Sequence, residues 1–304
     1  MKYITHFATS LVTAATLLAS PSSVDAWQEG AGTVGTVLIA HGGDPEWNQP
    51  VLDAAAAAKT GGPVAVSFLM GDSAAVYRFQ DAVTSLVEQG AERVVVVPLL
   101  ASSHSGHYEQ IRYLAGETDE ISEVMMHHLH MAGIERPTAA VPIQVAPALD
   151  ASPEITDILS ERASVLATNP AEQALFIIGH GPNGAEDNAE WMANLRPIAE
   201  EVGARGGFRD VKLGLVRDDA PEPVRTEAVR RIREIIELQN ELTGQEVVVV
   251  PILVSKGYVS VRKLPQDLAG LPVAYDGEGL LPHHAISRWV ERRVREASSK
   301  SVSH

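Results

Sequence analysis

The chain has 304 residues, 45% of them hydrophobic and 21% charged, which is ordinary globular material and enough for two modest cores. A formal charge of −15 argues against nucleic acid as a partner, because phosphate binding needs a clustered basic face. Cysteine is absent, which removes disulfides, thiolate metal sites and cysteine nucleophiles together.

Residues 1–26 read as a secretory signal peptide. Lys2 supplies a weak positive start and an apolar run from Phe7 to Ala19 follows. Pro21 and the small-residue site Val24-Asp25-Ala26 then precede Trp27. The run is too short and too rich in Ser and Thr for a good membrane anchor, and no later segment is long and apolar enough to span a bilayer. This predicts a periplasmic or secreted protein whose mature chain begins at Trp27, with residues 27–35 as a short linker.

From Thr36 onward the chain says the same thing twice. The first copy carries an apolar strand ending in His41-Gly42-Gly43, a second strand over 64–70, and a third, Val94 to Val97, leading through Pro98 into a loop with His104, Gly106, His107 and Tyr108. The second copy carries a strand ending in Gly179-His180-Gly181, another over 211–216, and a third leading through Pro251 into Ser255-Lys256-Gly257-Tyr258. A repeat of well over a hundred residues means duplicated domains, since solenoid units repeat at roughly 20–50. Helical stretches are predicted over 51–59, 76–89, 155–166, 187–201 and 223–242. Short final strands are expected over 141–146 and 273–275, each before a closing helix.

Continuous rather than alternating apolar strands indicate parallel sheets covered on both faces. The expected fold is therefore α/β, as two tandem doubly wound domains over 36–168 and 172–296. Asn169-Pro170 punctuates the boundary. The first half has one insertion without a counterpart, about 114–137, containing His127, His128 and His130. On a helix His127 and His130 share a face and His128 points away from it. A solvated helix, a set of metal ligands and a lid over the site are all open readings.

In open parallel sheets, ligands bind beyond the carboxyl ends of the strands. His41 and His180 stand at such ends, and His104 and His107 follow another. Neutral imidazole is the commonest protein ligand for several divalent transition metals and a ready proton acceptor near neutral pH. Because the second copy lacks the histidine loop, one site per chain is expected, built mainly on the first half and roofed by the second. Arg112, Arg217, Arg262 and Lys263 stand where they could pair with ligand carboxylates or with surface acids. His41-Gly42-Gly43 followed by Gly71-Asp72-Ser73 imitates a serine esterase, but the nucleophile elbow needs glycine where Ala75 stands.

These residues resemble the class II chelatase superfamily, in particular its sirohydrochlorin cobaltochelatase-like branch, related to ferrochelatase. The resemblance spans Thr36 to about Arg293. It rests on the strand-end His-Gly motifs at His41 and His180, on Gly90-Ala91 with Arg93 through Leu99, and on the Gly106-His107 loop. Gly179 to Asn183 and Phe208-Arg209-Asp210 resemble the longer, fused members. It implies flavodoxin-like domains that hold a tetrapyrrole, such as sirohydrochlorin, between them and insert a divalent metal. The metal is a substrate, Co2+ or Fe2+ with Ni2+ or Zn2+ as alternatives, and no organic cofactor is needed.

Carried over, the metal-handling residues are His41, His104, His107 and His180, with His107 and His180 as the catalytic pair. Two features depart from the family. One residue usually separates glycine and histidine in the loop, whereas His107 directly follows Gly106, which leaves His104 and His107 as alternatives. The glutamate that ferrochelatases place after the second half's last long strand is missing from Tyr258-Val259-Ser260. Glu109, Glu186 and Asp187 are the candidate proton relays. Two rival classes remain: an exported metal- or tetrapyrrole-binding protein without turnover, and a metal-dependent hydrolase, which lacks an obvious histidine–carboxylate triad.

Overall fold

The computed structural model of the chain describes residues 32–300, so the signal peptide and most of the linker lie outside the described residues. The first half runs β1 (Val34–Ala40), α1 (Pro45–Ala57), β2 (Val64–Phe68), α2 (Phe79–Glu88), β3 (Arg93–Leu99), α3 (Gly106–Leu114), α4 (Glu123–Ala132), β4 (Ile143–Val145) and α5 (Pro153–Leu166). The second runs β5 (Ala174–Gly179), α6 (Ala185–Gly206), β6 (Asp210–Leu215), α7 (Glu222–Thr243), β7 (Val247–Ile252), α8 (Leu264–Asp267), β8 (Val273–Ala274) and α9 (His284–Lys300). Among the described residues no helix is long and apolar enough to cross a membrane.

The duplication is exact in topology. The strand orders are β2-β1-β3-β4 and β6-β5-β7-β8, and every pairing is parallel. The continuous β-branched runs explain this, since Val94, Val95, Val96 and Val97 are all fully buried and so need helices on both faces. In each sheet the chain reverses its direction of growth between the two central strands. The crevice that ligands use in such folds therefore opens between β1 and β3, and between β5 and β7.

Local signals set the helix starts. Asp44 accepts a hydrogen bond from the Trp47 N–H at 2.8 Å and Pro45 occupies the first turn of α1. The helix therefore begins six residues before its alanine-rich stretch. The helix expected over 76–89 is α2, which begins only at Phe79, and a short 3₁₀ turn at Asp72–Ala75 precedes it. The histidine loop also holds a helix that apolar patterning did not show. Ser105 caps α3 by accepting from the Tyr108 N–H at 3.3 Å, which places His107 in its first turn.

The closing helices exchange sides. α5, at the end of the first half, packs on α6 and β7 of the second, and α9 packs back on α1 and β3 of the first. One core cluster accordingly joins Leu38, Val95 and Val97 with Ile286, Trp289 and Val290, and Leu175 and Ile177 with Ile155, Ile158 and Leu159. Burying each of these large side chains stabilises by roughly 1.5–3 kcal/mol, so the exchange fastens the halves strongly. Where α5 meets α9, Arg292 holds Glu154 in a two-pronged pair at 2.8 and 2.7 Å. Burial opposes the Glu154 charge, but the Arg292 hydrogen bonds outweigh it and hold the carboxyl below its ordinary range.

Two tryptophans complete the junction with near symmetry. Trp191 of α6 donates its indole N–H to the His104 carbonyl at 2.6 Å. Trp47 of α1 lies on the loop after β7, where a side chain on Gly257 would come within 2.7 Å of the indole. Each half thus holds the loop beyond the third strand of the other.

Candidate functional site

The four carboxyl-edge histidines do not behave alike. His41, directly after β1, and His180, directly after β5, are copies of one local structure. In each, the Nδ1 lies 2.8 Å from the carbonyl of the next glycine. A carbonyl only accepts, so Nδ1 carries the proton and Nε2 keeps its lone pair. Gly42 makes this turn feasible. Its φ is +92°, and a side chain there would meet the Met70 carbonyl at 2.4 Å.

His107 reaches the same state by another route. The buried Gln110 donates its amide to the Met125 carbonyl at 2.8 Å, which turns its oxygen toward His107 Nδ1 at 2.7 Å. That oxygen demands a donor, so His107 also exposes an Nε2 lone pair. The His41 and His107 rings stand edge to face with centroids 4.8 Å apart. His104 does not join them. Its side chain is exposed, and its backbone instead serves the junction through Trp191. α3 thus turns His107 toward His41, whereas the His104 side chain stays on the surface.

The second half contributes His180 and an acidic pair that follows β6. Asp219 lies 3.4 Å and Asp218 3.9 Å from His180 Nε2. The three donor groups are close enough to share one metal ion, but Asp218 is already committed. With only 2% of its side chain exposed, it takes Lys263 at 2.6 Å and Arg225 at 3.1 Å. Burial opposes its charge, yet those hydrogen bonds prevail and hold it below the usual carboxylate range. Asp219, 65% exposed, is the free one. Its carboxylate faces the His180 lone pair, two acceptors that only a proton or a cation between them can reconcile.

Burial pushes the His41 imidazole below its ordinary value, against its bond to Gly42, and charge on His180 adds to the shift while Asp219 opposes it. His107 is pushed down to about 4 by burial first and by His41 second, with Gln110 resisting. Charge on His128 adds to the downward shift of both rings, and the Asp219 carboxylate opposes it. At neutral pH the first-half pair is therefore neutral and ready to ligate.

A stability prediction follows. Between pH 6.5 and about 4 the unfolded chain binds a proton that folded His107 refuses, so acidification removes stability across that window and no further below it. The loss is roughly 3 kcal/mol at 1.36 kcal/mol per pH unit. Urea unfolding at pH 7 and pH 4.5 should show His107→Gln losing distinctly less than the natural chain. Equal losses would refute the assignment.

Several of the remaining sequence candidates are held in structural contacts. Arg112 pairs with Glu117 at 3.3 Å, and Lys263 is taken by Asp218. Arg217, at φ +53°, donates to the Pro182 and Asn183 carbonyls and so fixes the loop after His180. Arg262 is exposed, as are Glu109 and Glu186, while Asp187 is partly so. Ser73 sits in the 3₁₀ turn, held by Asn48 at 2.8 Å, rather than on a nucleophile elbow. Sequence reasoning missed Asp219, although the pair Asp218-Asp219 stood at the end of the second copy's second strand.

Comparison with known proteins now adds to this geometry. Residues 35–166 match the CbiX family model. In fold, SirB from Bacillus subtilis, solved with Fe3+, is similar with a TM-score of 0.61 at 16% identity, over 88% of this chain and 97% of that one. The family match thus lies in the first half, and the likeness in fold extends over both halves. CbiX, the terminal enzyme for siroheme biosynthesis in denitrifying bacteria, gives a TM-score of 0.51 at 13% identity over 87% of this chain and 99% of that one. DR2241 from Deinococcus radiodurans, a multi-domain protein structurally similar to chelatases, gives 0.54 at 19% identity over 87% and 55%. No curated protein sequence matches the chain. The carboxyl edge of this fold is divided, with two imidazoles on the first half and an imidazole–carboxylate pair on the second.

Proposed function

We propose that this protein inserts a divalent metal, Co2+ or Fe2+, into a tetrapyrrole of the sirohydrochlorin class. The observation that carries the proposal is the set of three imidazoles whose Nδ1 atoms are all engaged, which leaves the Nε2 atoms of His41 and His107 as lone-pair donors and turns that of His180 toward Asp219. Such nitrogens suit borderline divalent metals, and the cysteine-free chain offers no thiolate competitor. His41 and His107 hold the incoming cation. Metallation must also remove two pyrrole protons. His180, backed by Asp219, accepts them on the opposite wall, since the facing lone pair and carboxylate are stabilised by a proton between them. We also place the protein outside the cytoplasm, on the reading of residues 1–26 as a signal peptide.

The test is to incubate protein purified from its host with sirohydrochlorin and Co2+ or Fe2+ and follow the absorption spectrum. Metal-dependent change over many turnovers is expected, on a chain that begins at Trp27. A shift that stops at one equivalent would make the protein a carrier. Retention of Met1 would overturn the assigned location.

A further inference from the structure

The loop after β7 is the second half's counterpart of the histidine loop, and the residue after its glycine is Tyr258 where the first half has His107. The chain there opens into a π turn at Val259–Lys263, in which the Leu264 N–H reaches back to the Val259 carbonyl. Such wide turns are rare and gather at functional sites. The inner side of this one is fastened. Ser260 is buried, its hydroxyl bonds the Gly257 backbone at 3.1 Å, and its carbonyl accepts from the Tyr275 hydroxyl at 2.7 Å.

The outer side is left open to water. Tyr258 is 66% and Val261 43% exposed, and Arg262 is exposed beside them. Their spacing sets all three on one face of the turn. Arg262 makes no hydrogen bond or ion pair among the described residues, although the chain carries a net charge of −15. A firmly held turn that presents an aromatic ring, a branched apolar side chain and an unpaired guanidinium together is more than the packing of the fold requires.

Two sets of contacts place this face at the cleft. Gly257, next to Tyr258, and Gly43, in the turn after His41, both abut Trp47, which a side chain on either would approach to 2.7 and 3.0 Å. On the other side, Lys263 Nζ lies over the Tyr258 ring, 5.9 Å from its centre, and bonds Asp218 at 2.6 Å. The Asp218 carboxylate is in turn 3.9 Å from His180 Nε2. Tyr258 therefore adjoins both the His41 turn and the His180 wall.

We propose that Tyr258, Val261 and Arg262 form the platform on which the macrocycle lies. Tyr258 stacks on the conjugated ring, Val261 packs against its apolar face, and Arg262 pairs with a carboxylate at its rim. This rests on the tetrapyrrole reading above and assigns residues that the reading leaves unnamed. A flat conjugated anion is the occupant because a stacking ring and an unpaired cation are presented side by side.

The test uses the full mature chain, without metal, and a metal-free porphyrin bearing carboxylates at its edge, followed by its absorption shift. Tyr258→Ala should weaken binding by about three- to tenfold, and Tyr258→Phe, which keeps the stacking ring, should bind like the natural protein. Arg262→Gln should lose about two- to fivefold at low salt and nothing at high salt. Leu238→Ala, an equally exposed apolar site on α7, should change nothing. All of these side chains are exposed, so the melting temperature should stay within a degree or so of the natural value. Natural affinity in Tyr258→Ala would overturn the platform while leaving the cleft as the binding place. Loss in Leu238→Ala equal to that in Tyr258→Ala would overturn it as well, by showing unspecific adsorption. Binding that depends on Tyr258 but is never followed by metallation would uphold the platform and overturn the chelatase reading alone.

Discussion

Replacing His107 with alanine should reduce metal affinity and turnover by at least about 100-fold, while replacing His180 should chiefly slow turnover. The two changes remove different things. His107 stands 4.8 Å, ring to ring, from His41 and contributes a neutral lone pair, so its loss is a loss of binding. His180 faces Asp219 rather than another imidazole, and loss of a positioned proton acceptor costs about 10²–10⁴-fold in rate. Calorimetric titration with Co2+ beside single-turnover spectra would separate the two effects. Neither change should lower the melting temperature much, because neither ring supports a core cluster. If His180→Ala instead unfolds early and loads metal normally, its role is to hold the turn at Gly181. Loss of metal loading in His180→Ala equal to that in His107→Ala would place all three rings on one ion.

The second large effect belongs to Asp218, and its direction is the reverse. Asp218→Asn should destabilise by about 3 kcal/mol, since removing one partner of a buried ion pair strands the other charges. Lys263 loses its partner at 2.6 Å, and Arg225 keeps only Asp267. In a chain this size that is a fall of roughly 6–12 °C in melting temperature. The folded protein should nevertheless bind Co2+ within a few-fold of the natural affinity, because Asp218 is already taken by two cations. Asp219→Asn should do the opposite, leaving the melt unchanged and slowing turnover. The pH dependence has a definite sign. The Asp218 carboxyl is held below its ordinary value, so its contribution is fully present above about pH 4 and is lost as the pH falls through the lower folded value. A large loss of metal affinity in Asp218→Asn would show instead that both aspartates ligate.

Much of this was legible in the chain because the duplication supplies its own control. Continuous runs such as the four valines before Pro98 can only be buried on both faces, which dictates parallel strands, and the order of strands and helices then recurs. The strand ends locate His41 and His180 without coordinates, since the edge where such sheets bind ligands follows from topology alone.

What the chain could not decide were matters of direction. Whether His104 or His107 faces the cleft depends on a helix begun by Ser105, a polar cap that apolar patterning does not reveal. Which of the insertion's histidines turns inward depends on what α4 packs against, because a helix has no inside until a neighbour covers one face. Asp218 and Asp219 are adjacent and chemically identical, yet one is neutralised by Lys263 from a stretch 45 residues away while the other faces a histidine. The exchange of α5 and α9 is likewise silent in sequence, since either sheet offers an apolar face of the same kind and only the assembled core selects between them. Local periodicity fixes what an element buries; the partner it buries against is set by contacts across the whole chain.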